Sequence, residues 1–138
     1  MIIYVTDPNK FSNEKSFLEN IKLSSLYGIE FIQIRLKSLD QKSKTDLTIK
    51  INNIIDTSKT RIIINSDFIS SKLISPFGFH ITSQSNTSGA DAKMKSGAKW
   101  ISKSIHSREE IVSNNEDKNI NAFIIGTIYS SNSHPNGK

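Results

Sequence analysis

Six short apolar runs recur along this chain, and between consecutive runs lies a segment of helical spacing. The runs are IIYVT (2–6), FIQIRL (31–36), RIIIN (61–65), FGFHIT (77–82), WISKSI (100–105) and NAFIIGTIY (121–129). Each has the length and the Ile, Val and Phe content of a strand covered on both faces. Between them, Phe17, Leu18 and Ile21 fall at helical spacing within 14–27, and Gly28 is a natural stop. Leu47, Ile51, Ile54 and Ile55 form a second stripe at i, i+4, i+7 and i+8. Short helices are expected over 67–74 and 90–96. Ser107-Arg108-Glu109-Glu110 matches the S-x-x-E capping box, which opens a helix running to about Asn115. Strict alternation of strand and helix implies a parallel sheet with crossover helices.

Two architectures satisfy that alternation, the doubly wound sheet and the barrel. No G-x-G-x-x-G follows any strand, which weakens the dinucleotide-binding sheet. FIQIRLKS (31–38) favours the barrel. Residues two apart share a strand face. Ile32, Ile34 and Leu36 therefore lie on one face, and Gln33, Arg35 and Lys37 on the other. In a barrel the first set packs under the helices, while the amide and the two cations climb the inner wall to the C-terminal mouth, where active sites form.

Composition narrows the partners. The chain has 138 residues, one domain's length, and is expected to form a single domain over 1–138. Without cysteine it has neither a disulfide framework nor a thiolate metal site. The net charge of +5 and pI near 9.5 suit an anionic partner. The lysines are dispersed, and the densest run (37–50) also holds Asp40 and Asp46, so it is expected to be a solvated helix face. Arg35 and Lys37 lie in an apolar strand with no aromatic-basic platform, which argues against nucleic acid. No segment approaches the roughly 20 apolar residues of a membrane span. MIIYVTDPNK lacks the basic flank and apolar length of a signal peptide, so no membrane partner and a cytoplasmic location are expected.

Several strand ends together resemble the thiamine-phosphate synthases and their relatives, the thiazole tautomerases. The matching stretches are YVTD (4–7), QIRLKS (33–38), IIIN (62–65), GFHI (78–81), SKSIHSREE (102–110) and GTIYSSNSHPNGK (126–138), in collinear order. The resemblance implies a (βα)8 TIM barrel of the thiamine-phosphate synthase type, incomplete here. About six strands are present and the last two βα units are missing. The sequence is expected to be the recorded portion of a longer protein. A shortened inactive relative, or a homodimer that completes its barrel from another copy, are the other readings.

The resemblance also implies roles. Gln33, Arg35 and Lys37 match a Q-x-R-x-K strand that in the synthases grips the diphosphate of a pyrimidine substrate. Asn65, Ser104, Ser131 and Ser133 join them as binding residues. His106, in the turn Ser104-Ile105-His106-Ser107, is the expected catalytic group. The synthases complete a magnesium site with acids after the third and fourth strands. Here those positions read Asn65-Ser66 and Ser85, and His134 stands where a sixth-loop lysine is expected. Magnesium prefers carboxylate oxygens, so no cofactor is expected unless synthase activity is retained. Asp67, two residues beyond Asn65, is the candidate acid to stand in. The tautomerase branch lacks those acids and uses the histidine to move a proton on a carboxythiazole phosphate until the ring is aromatic. Imidazole suits a proton taken and returned near neutral pH.

The expected function is therefore thiazole tautomerase-like, with a phosphorylated thiazole or pyrimidine as ligand. The alternatives are thiamine-phosphate synthase and a non-catalytic binder of phosphorylated metabolites. His80 is expected to be a hydrogen-bonded core or helix-facing residue, His134 a solvated loop residue, and Trp100 a packing residue.

Overall fold

The computed structural model describes residues 1–126. Its strands are β1 (Ile3–Val5), β2 (Phe31–Ile34), β3 (Arg61–Asn65), β4 (Gly78–Ile81), β5 (Trp100–Ile105) and β6 (Ala122–Ile125). Its helices are α1 (Glu14–Leu26), α2 (Gln41–Ile54), α3 (Phe68–Ile74), α4 (Gly89–Ser96) and α5 (Arg108–Asn114). All six strands are parallel and pair in chain order, β1 to β6, without a reversal. A doubly wound sheet reverses its strand order at a switch point. Unreversed order is that of a barrel, so the fold is six consecutive strands of a (βα)8 barrel. Among the described residues no helix is long and apolar enough to cross a membrane.

Local chemistry starts each helix. Asn13, Asp40, Asp67, Ser88 and Ser107 each accept a first-turn backbone N–H through the side chain, which satisfies donors the helix itself leaves unpaired. Gly28 (φ 91°) and Gly97 (φ 73°) follow the ends of α1 and α4 in the left-handed region that costs other residues most.

The two faces of the sheet differ in chemistry. Ile32, Ile34, Leu36, Ile62, Ile64, Phe79, Ile81 and Ile101 pack outward against Phe17 and Ile21 of α1, Leu47 and Ile51 of α2, and Ala92 of α4. This is the main core. Helices α1 to α4 also pack on one another in chain order, as the outer layer of a barrel does. The inner face carries Gln33, Ile63, His80 and Ser102, all buried. At its base Trp100 lies across Gly78. A Cβ on Gly78 would come within 2.9 Å of the indole and 3.1 Å of Ile63. Phe77 stacks on Trp100, and the Arg61 guanidinium lies 4.8 Å from the Phe77 ring, so an aromatic and cationic layer floors the interior. Trp100 is thus a packing residue, as expected.

Two sequence expectations shift. The second strand was expected to run to Leu36 but leaves the ladder after Ile34. The Thr6 hydroxyl accepts the Arg35 N–H at 3.0 Å, taking the bond a neighbouring strand would otherwise receive. The lysine run of 37–50 is not wholly a solvated face. Lys42 and Lys50 are exposed, but Lys44 sits one turn before the buried Thr48 on the side of α2 that leans on the sheet.

Candidate functional site

The C-terminal ends of β2 to β5 surround a cleft of about 470 Å³. Its walls are the strand ends Arg35 to Lys37, Asn65 to Asp67, His80, Thr82 to Gln84, Ser104 and His106, closed at the side by Lys44 and Thr48 of α2. Arg35, Lys37, Asn65, Ser104 and His106 therefore meet around one space although they come from three separate strands. Gln33 shares their face but is not on the lining. It sits two residues lower, inside the ladder, 3% exposed, with Oε1 buried and lacking a hydrogen-bond partner among the described residues. The reason is geometric: each pair of strand residues climbs about 6.6 Å, so Arg35 and Lys37 emerge above the paired region while Gln33 stays within it. Ser131, Ser133 and His134 lie outside the described residues.

His106 is held at three points. Its backbone N–H donates to Glu110 Oε2 at 2.9 Å. The box expected at Ser107 closes in modified form: Ser107 Oγ accepts the Glu110 N–H at 3.2 Å, and the glutamate reaches back one residue further than usual, to His106. Imidazole Nδ1 lies 2.9 Å from the Gly126 carbonyl and Nε2 lies 3.0 Å from Ser83 Oγ. A carbonyl only accepts, so Nδ1 must carry the hydrogen. The neutral ring therefore keeps its lone pair on Nε2, beside Ser83 on the cleft wall.

His80 corrects one expectation. It is a buried, hydrogen-bonded residue, but it faces the barrel interior and not the helices. Phe79 and Ile81 on either side are committed to the outer core, so the strand's period of two turns His80 inward. Nδ1 lies 2.8 Å from Ser102 Oγ and Nε2 2.7 Å from Ser104 Oγ. Burial, and secondarily the Lys37 ammonium, push its imidazole from 6.5 down to about 4. At neutral pH it is uncharged, so one serine donates to it and the other accepts from it. Sequence alternation already held this signal.

Asp67 cannot serve a metal from where it stands. Its Oδ1 accepts the N–H groups of Ile69 and Ser70, its Oδ2 accepts the Ser70 hydroxyl, and the Gln41 amide reaches both oxygens. It is spent on capping α3 and tying it to α2. Ser85, at the other acid position, is bonded to Thr87. Among the described residues no three His, Asp or Glu side chains stand together. Such a donor set does not fit magnesium, which demands several oxygen ligands in octahedral array.

The family model described as thiamine monophosphate synthase matches residues 2–138. No curated protein matches the chain. Among solved structures, a thiamine phosphate pyrophosphorylase from Pyrococcus furiosus has the same fold, with a TM-score of 0.73 at 15% sequence identity. The match covers 96% of this chain and 62% of that one, so the chain spans less than two thirds of the length of that relative.

Proposed function

Because the chain belongs to the thiamine monophosphate synthase family, we propose that it acts in thiamine biosynthesis on a phosphorylated thiazole, as a thiazole tautomerase. The observation that carries this reading is the pairing of two cations with a tautomer-fixed histidine around one cleft. The Arg35 guanidinium and the Lys37 ammonium bind the phosphate by charge-assisted hydrogen bonds. Asn65 and Ser104 orient the ring beside them. His106 Nε2 takes a proton from the non-aromatic ring, and the Ser83 hydroxyl yields its place to the substrate. The imidazolium is steadied through Nδ1–H by the Gly126 carbonyl. It then returns the proton at the conjugated position, and the ring becomes aromatic. One proton leaves and one returns, nothing is oxidised, and no step needs a metal.

The test is to incubate the protein with the non-aromatic carboxythiazole phosphate and follow aromatisation by absorbance. His106→Ala should slow turnover by about 10²–10⁴-fold, the range of general acid–base catalysis. No acceleration over buffer, or full activity in His106→Ala, rejects the reading. The family description favours one second reading, coupling of a pyrimidine diphosphate to the thiazole phosphate. It requires thiamine phosphate to form when magnesium is supplied. Stabilisation by the thiazole phosphate with no turnover of any kind would leave a non-catalytic binder.

A further inference from the structure

The cleft holds a third cation that the strand motif does not supply. α2 runs antiparallel to the strands, so its N-terminus lies at their C-terminal ends. Lys44 is its fourth residue, and helical side chains lean towards the N-terminus. Four residues on, Thr48 shares the cleft wall, as the helical period requires. Lys44 is half-buried and lines the cleft, the setting in which a lysine stem packs on protein and its charged end faces solvent.

Arg35, Lys37 and Lys44 all line this cleft, and among the described residues none of the three is held in an ion pair. Among the described residues the cleft's one carboxylate, Asp67, is engaged by the N-terminus of α3 and by Gln41. The neighbouring imidazole of His80 is held by two serine hydroxyls and adds no charge at neutral pH. Three positive charges brought into one partly buried space repel one another unless an anion joins them.

We propose that Lys44 is a ligand-binding residue of this cleft, and that Arg35, Lys37 and Lys44 together neutralise a small ligand bearing about three negative charges without a divalent cation. This deepens the reading of the cleft as a phosphate site and rests on it. The ligand class is a fully ionised phosphate ester with a second acidic group, or a diphosphate. The ammonium of Lys44 stands in for the positive charge that a magnesium ion would otherwise bring to such a ligand.

Inorganic pyrophosphate is the probe, titrated into the protein by calorimetry with either EDTA or magnesium present. Wild type is expected to bind in EDTA. Lys44→Met should weaken binding about tenfold or more, the scale of a hydrogen bond to a charged group. Lys44→Arg should stay within a few-fold of wild type. Lys42→Met, on an exposed position of the same helix, removes the same charge and should change affinity less than twofold. Binding that appears only with magnesium overturns the inference, as do equal affinities for Lys44→Met and wild type, or equal losses for the Lys42 and Lys44 variants. If wild type binds no pyrophosphate under either condition, the phosphate reading of the cleft falls with it. The aromatisation assay is independent of all four outcomes and judges the tautomerase reading by itself. Circular dichroism of each variant separates loss of binding from loss of fold.

Discussion

Lowering the pH from 7.5 to 4.5 should cost the folded chain about 2.5 kcal/mol through one side chain, His80. Burial against Ser102 and Ser104, with Lys37 nearby, holds its imidazole at about 4, against 6.5 for a free histidine. Above pH 6.5 the ring is neutral in both the folded and unfolded chain, and its contribution to stability is fully present. Below 6.5 the unfolded chain takes up a proton that the folded chain refuses, so stability falls. The loss approaches about 1.4 kcal/mol per pH unit between 6.5 and 4 and levels off below 4, where the folded protein also protonates. The assay is urea unfolding at pH 7.5, 5.5 and 4.5, read by the fluorescence of the single tryptophan, Trp100, in the floor of the barrel. Other ionisable groups also contribute to the pH dependence of stability. His80→Asn is therefore run in parallel: it removes the imidazole and keeps a polar group beside Ser102. The difference between the two curves isolates His80, and it should shrink as the pH falls from 7.5 to 4.5. Parallel curves would falsify the assignment, as would an imidazole resonance of His80 with its midpoint near 6.5.

Three further outcomes follow from packing and capping. Gly78→Ala brings a methyl to 2.9 Å from the Trp100 ring and 3.3 Å from its carbonyl, so it should lower stability by about 1–3 kcal/mol, seen as a lower urea midpoint and a changed Trp100 spectrum. Phe79→Ala empties an outer-core position that is 1% exposed and stacked 4.4 Å from Phe68; about 3–5 kcal/mol should be lost, and a loss under 1 kcal/mol contradicts the assigned core. Asp67→Ala removes the cap of α3 and should cost about 1 kcal/mol. It should leave the magnesium response of ligand binding unaltered, since its oxygens serve the helix; a changed response contradicts that assignment.

Much of this architecture was legible in the chain itself. Alternating apolar runs and helical stripes mark the six strands and five helices in their observed order, because a buried parallel strand and an amphipathic helix leave different periods. The outward packing of Ile32, Ile34 and Leu36 follows from the same alternation. The alternation also turns His80 inward between Phe79 and Ile81, though a lone histidine in an apolar run reads more readily as core. The i, i+4 relation of Lys44 and Thr48 was equally present, hidden in a run whose overall charge resembles a solvated face. The early end of β2 was not legible. It depends on a hydroxyl 29 residues away taking the Arg35 N–H.

The sequence by itself determined which residues share a face, because periodicity is a property of one strand or one helix. Only the tertiary structure decided which faces meet across the cleft. It raised Arg35 and Lys37 above the ladder, left Gln33 within it, committed Asp67 to a helix end, and joined His106 to Ser83 and Gly126. Those outcomes are set by how far each strand climbs and how neighbouring elements lean on one another. They are distances between segments remote in the chain, and no local pattern of residues encodes them.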